Sequence, residues 1–159
     1  MKFFYIFIIL FSQLGHTEEF SLFCEGKRDF RTFNGNAMNI VDFESVLLKI
    51  KKDSMEYIGI DSGRSYVFSN KEYTAPKRPP HEDIKIKTLY EFTPKTIKAS
   101  QIIADTGDTK ESSINLFSLD VNLLTGELSE SEIIRNKKTN VKSMSNNFQA
   151  LCKREDRSY

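Results

Sequence analysis

Two cysteines, Cys24 and Cys152, stand near opposite ends of the chain, and each sits in a run of alternating apolar residues. Phe20-x-Leu22-x-Cys24 lies near the start and Phe148-x-Ala150-x-Cys152 near the end. Alternation puts every second side chain on one face, which is the pattern of a half-buried strand. A bond between the cysteines would make the first and last strands neighbours, so the sheet would join its own ends. Closing a loop of about 130 residues restricts the unfolded chain by up to roughly 5 kcal/mol in the chain-entropy account. A redox or metal-binding pair would favour close spacing such as Cys-x-x-Cys, which is absent.

Pairing requires an oxidising compartment, and the N-terminus supplies the address. Lys2 precedes nine apolar residues, Phe3 to Phe11, followed by Ser12, Gly15 and the polar Thr17-Glu18-Glu19. About 20 residues are needed to cross a bilayer as a helix, so this run reads as a secretory signal peptide. No small-x-small pair fixes the cleavage point, which is placed at Gly15 or His16. The expectation is a signal peptide at 1–16 and one β domain at 17–159, exported to the periplasm or beyond, with no transmembrane segment in the mature chain.

Removing Lys2 leaves 22 basic side chains against 22 acidic ones. A neutral protein has no bulk attraction for nucleic acid, and no nucleic-acid partner is expected. No Asn-x-Ser/Thr site occurs, so N-glycosylation is not expected either.

Between the cysteines the chain reads as short strands. Asp83-Ile84-Lys85-Ile86-Lys87-Thr88 alternates strictly, and the pattern continues through Tyr90 and Phe92 to Pro94. Further segments fall at 20–25, 39–51, 55–60, 65–68, 96–103, 113–123, 127–134 and 147–153. Asn34-Gly35, Ser62-Gly63, Thr106-Gly107 and Thr125-Gly126 supply turns between them. Residues 127–138 read as a strand, with a helix as the alternative, and 70–82, with its three prolines, as one surface loop. The fold class is therefore all-β: a single antiparallel barrel-like or sandwich domain of about 8–9 short strands, its ends linked by Cys24–Cys152.

Few motifs carry chemistry. Asp61-Ser62-Gly63 and Asp105-Thr106-Gly107 resemble the paired Asp-Ser/Thr-Gly loops of aspartic proteases, whose carboxylates share a proton. Their spacing is too short for two lobes, and Ala104 and Asp108 depart from the single-lobed pattern, so turn formation is the expectation. His81-Glu82-Asp83 offers three adjacent ligands, which rarely converge on one ion, and the only other histidine is His16. No catalytic residue, metal or cofactor is assigned. Lys49, Lys51 and Lys52 with Lys85 and Lys87 would form a basic stripe only if their strands were adjacent.

The Phe20 to Gly26 opening, the Leu123-Leu124-Thr125-Gly126 turn and the closing Leu151-Cys152-Lys153 resemble small exported bacterial β-barrel proteins of unassigned function. Ser62-Gly63-Arg64-Ser65-Tyr66, with Lys71 after it, is similar to the Ser-Gly-x-x-Tyr segment of periplasmic inhibitors of c-type lysozyme. That resemblance implies Ser62, Tyr66 and Lys71 as ligand-binding candidates. The tryptophan-containing segment usual in that family is absent, and the mature chain is about half as long again. The expectation is a non-enzymatic binding module for a protein, or for a small or polymeric ligand. The alternatives are an inhibitor of a lysozyme-type hydrolase and an exported hydrolase with an unidentified carboxylate site.

Overall fold

The computed structural model describes residues 19–33, 38–75, 83–107 and 112–155. The expected signal peptide, the turn expected at Asn34-Gly35 and His81-Glu82 lie outside the described residues. Ten strands follow one another: β1 (Phe20–Thr32), β2 (Asn39–Ile50), β3 (Ser54–Gly59), β4 (Ser65–Ser69), β5 (Lys71–Ala75), β6 (Ile84–Phe92), β7 (Thr96–Asp105), β8 (Ser113–Asn122), β9 (Glu127–Asn136) and β10 (Lys142–Glu155).

They form one antiparallel sheet in the order β4-β3-β2-β1-β10-β9-β8-β7-β6-β5, nearly closed into a barrel. Each pairing but one joins strands consecutive in the chain. The exception is β1 with β10, where Cys24 faces Cys152 directly and the two are disulfide-bonded. The expected link between first and last strands is present, and the barrel is the realised alternative. Gly26 permits the close approach beside it, since a Cβ there would lie 1.9 Å from the Gln149 carbonyl oxygen.

The open seam lies between β4 and β5, joined only by Asn70. Side chains bridge it. The Tyr90 amide donates to Asn70 Oδ1 at 2.9 Å, Thr88 Oγ1 donates to the Ser69 carbonyl, and the Tyr90 hydroxyl donates to the Lys51 carbonyl at 2.8 Å.

Two expectations need correction. Residues 71–75 were expected within a loop but form β5, which carries no apolar alternation and exists because it pairs with β6 from Lys71↔Thr88 to Ala75↔Ile84. The terminal strands are also longer than expected, running to Thr32 and starting from Lys142, because polar residues occupy their inner face there. Residues 127–136 are strand, not helix.

We call the end where the chain enters at Phe20 the lower end. The inner rows there are apolar: Leu22, Val46, Leu48, Ile50, Met55 and Val121 are all buried. Above them aromatic rings meet across the interior. Phe117 of β8 lies 5.3 Å from Phe68 and 5.9 Å from Tyr57, centroid to centroid, although β3 and β4 lie on the far side of the sheet. At this level opposite walls are in contact.

Candidate functional site

The same inner rows change character toward the upper end. On β1 the row runs Cys24, Gly26, Arg28. On β9 it runs Leu128, Glu130, Glu132, and on β2 Val46 is preceded by Glu44. Arg28, Glu44, Glu130, Glu132 and Asn146 are all buried, Asn146 completely.

Arg28 organises this cluster. It donates from Nη1 to Glu130 Oε1 at 2.6 Å and to Asn146 Oδ1 at 3.0 Å. Nη2 donates to the Tyr57 hydroxyl at 2.9 Å, and Nε bonds Glu44 Oε2. Its guanidinium carbon lies 4.6 Å from the centre of the Phe148 ring. The register explains the stack, since Phe148 pairs with Arg28 on one side and Glu130 on the other.

Further bonds tie in the carboxylates, while the buried Asn115 Oδ1 has no hydrogen-bond partner. The Tyr57 hydroxyl donates to Glu130 Oε2 at 2.8 Å, and Ser62 Oγ donates to Glu44 Oε1 at 2.7 Å. Glu132 accepts from Arg64 Nη1 and from Asn115 Nδ2, both at 2.9 Å. Burial alone would lower the Arg28 pKa, but the hydrogen bond and charge of Glu130 outweigh it and hold the guanidinium above its usual value. Burial pushes the Tyr57 hydroxyl up, with the Glu130 charge adding to it.

Desolvating the four charged side chains Arg28, Glu44, Glu130 and Glu132 is costly, and their mutual attraction offsets that cost only because each carboxylate is matched by more than one donor. Such a cluster fixes register among β1, β2, β3, β9 and β10. It presents no unpaired nucleophile and no histidine, and no group of three or more metal-ligating side chains occurs among the described residues.

The sequence-predicted residues separate in space. Tyr66 reaches the upper interior, its half-buried ring 5.3 Å from Phe117, whereas Ser62 is exposed and bonds Glu44 through its hydroxyl. Arg64, between them, is bonded inward to Glu132. Lys71 lies across the seam, exposed on β5. Asp61 accepts from the Ser45 amide at 2.8 Å, and Asp105 from the Ser113 amide at 2.7 Å. Asp61 lies in the turn between β3 and β4 and Asp105 at the end of β7, and neither β3 nor β4 is paired with β7 in the sheet. The lysine stripe is divided in the same way, because β2 and β6 are not neighbours; Lys49 pairs with Glu56 and Lys85 with Glu72.

The sequence reading missed a second feature, on the outer surface. Val41 and Phe43 have the opposite parity to Glu44, Val46 and Leu48, and therefore face outward at 59% and 77% exposure. Phe33, Met38 and Ile40 on the same hairpin are also exposed. Parity was the available signal for both features: charged residues in phase with Cys24 on β1, and apolar residues out of phase with Val46 on β2.

No family model, curated protein or solved structure matches this chain.

Proposed function

We propose that this chain is an exported, non-enzymatic binding module that docks a partner protein through the outer face of the β1–β2 hairpin. One observation carries the proposal. Phe33, Val41 and Phe43, which share the outward parity, stand exposed on a single hairpin, and Met38 and Ile40, of the opposite parity, are exposed near its end. Scattered exposed apolar residues are ordinary, but a concentration of them marks an interaction surface. Phe43 is further set in place by Lys27, whose ammonium lies 5.6 Å from the ring centre. An aromatic anchor held in one position loses little freedom on binding.

The interior supports the same class of activity. Its upper charges are held by one another and its middle level is packed with rings, which is consistent with recognition on the outer surface.

The test is affinity capture from an envelope extract, comparing the wild-type domain with Val41→Ser/Phe43→Ser. Both positions are exposed, so the variant should keep the wild-type melting temperature. A partner retained in stoichiometric amount by the wild type and lost by the variant is the expected result. Equal retention by both would overturn the assignment of the hairpin.

A further inference from the structure

The inner rows change character a second time above the charge cluster. On β9 Glu130 and Glu132 are followed by Ile134, on β10 Met144 precedes Asn146 and Phe148, and on β7 Ala99 and Gln101 are followed by Ile103. The register joins these upper positions into one row, Met144↔Ile134↔Asn115↔Ile103↔Ile86↔Tyr73, running from β10 through β9, β8, β7 and β6 to β5. Alternation puts the row on the interior face, in phase with Asn146, Glu132 and Phe117.

This apolar arc is not part of the core. Phe117 and Phe148, one level down, are 4% and 0% exposed, whereas Met144, Ile134 and Ile103 are only half-buried. Tyr73 faces inward and is still 52% exposed. Ile86, the best buried of the arc, lies outside the core cluster. Between arc and core runs the row that carries Gln101, Glu132 and Asn146. Apolar side chains turned inward yet reachable by solvent form the wall of a barrel mouth, a common place for small-molecule sites.

One polar group interrupts the arc. Asn115 stands between Ile103 and Ile134, and its Nδ2 donates to Glu132 Oε1 at 2.9 Å. That bond turns Oδ1 away from Glu132, and Oδ1 is buried without a hydrogen-bond partner. Its two neighbours in the row are isoleucines and carry no side-chain donor. A buried acceptor without a donor is costly, and native structures rarely leave one unused.

We infer that the upper mouth binds a small, neutral, largely apolar molecule with one hydrogen-bond donor, its apolar body on Ile86, Ile103, Ile134 and Tyr73 and its donor on Asn115 Oδ1. An anion would meet that oxygen and the Glu132 carboxylate, and a cation would find Glu132 already paired with Arg64. Oδ1 is covered, so the ligand reaches it as the flanking side chains change rotamer, a common adjustment on binding. The site lies inside the barrel and is independent of the outward face of Val41 and Phe43.

The probe is para-propylphenol, with para-propylanisole as the matched compound lacking the donor, each titrated and followed by backbone and side-chain amide chemical shifts. Saturable one-to-one binding of the phenol is expected, with shifts centred on Ile86, Ile103, Asn115 and Ile134. The anisole should bind about tenfold more weakly, the size of one hydrogen bond. Asn115→Leu should bind the two compounds alike and stay folded, since Glu132 keeps Arg64 and Asn146 as donors. Tyr73→Ser, at an exposed position, should weaken both compounds by a similar factor with the melting temperature unchanged. The inference is overturned if the phenol shows no saturable binding, if its shifts centre outside the arc, or if Tyr73→Ser binds as wild type. Equal affinity of the wild type for phenol and anisole would leave Oδ1 to a buried water and overturn it. So would a preference for the phenol that survives in Asn115→Leu, or loss of phenol binding in Val41→Ser/Phe43→Ser.

Discussion

On β1, Cys24 lies in an interior shared with Val46, Leu48 and Phe148, while Arg28, four residues further on, lies among Glu44, Glu130 and Asn146. The strand geometry is the same and the burial nearly so, but the energetics are opposed. Apolar contacts below are non-directional, so each side chain contributes in proportion to the area and volume it fills. The charges above must be matched donor to acceptor, and a mismatch leaves a bare charge out of water. The lower half therefore supplies stability, and the upper half makes one strand register far better than its neighbours.

The sharpest way to break this contrast is to remove one member of the charge cluster. Arg28→Met strands Glu44 and Glu130, and should cost about 3–5 kcal/mol in urea unfolding. Adding Glu44→Leu and Glu130→Leu should recover most of that loss; if the triple variant is less stable than the single, the cluster stabilises outright and the contrast fails. In the apolar half, Leu48→Ala should cost about 2–5 kcal/mol, with no polar partner change able to restore it.

Smaller effects sharpen the picture. Tyr57→Phe removes a donor to Glu130 and an acceptor for Arg28, and should cost about 1–3 kcal/mol. Alkali provides a test without mutation. Burial pushes the Tyr90 hydroxyl up to about 12, with the Asp53 charge adding to it, and burial also raises Tyr57 and Tyr66. Between the unfolded value near 10 and these folded values the unfolded state binds fewer protons, so stability should fall as pH rises from about 10 toward 12. Tyrosinate absorbance that develops late, together with unfolding, is the expected trace; full ionisation near pH 10 with the fold intact would contradict it. The smallest effect belongs to the surface, where Lys49→Ala, removing the exposed pair with Glu56, should change stability by less than about 1 kcal/mol.

The parts of this architecture legible in the sequence are those where alternation is apolar against polar. The strands around Ile84–Phe92 and the Cys24–Cys152 bond follow from such patterns. The upper halves of β1 and β10 were missed because their inner positions are Arg28 and Asn146, which look like outer positions when read singly. β5 was missed because neither of its faces is buried and only the ladder with β6 makes it a strand. Pairing partners across the barrel, such as Arg64 with Glu132, depend on strand order, which no local pattern encodes. The hairpin patch was visible as residues but not as a surface until parity assigned Val41 and Phe43 to the outside.

The most direct test of the functional account is amide hydrogen exchange of the protein with and without its captured partner. Binding through the hairpin predicts slowed exchange across Asn39–Glu44 and the facing upper part of β1, with Ser62–Lys71 unchanged. Protection confined to Ser62–Lys71, leaving the hairpin as in the free protein, would contradict it.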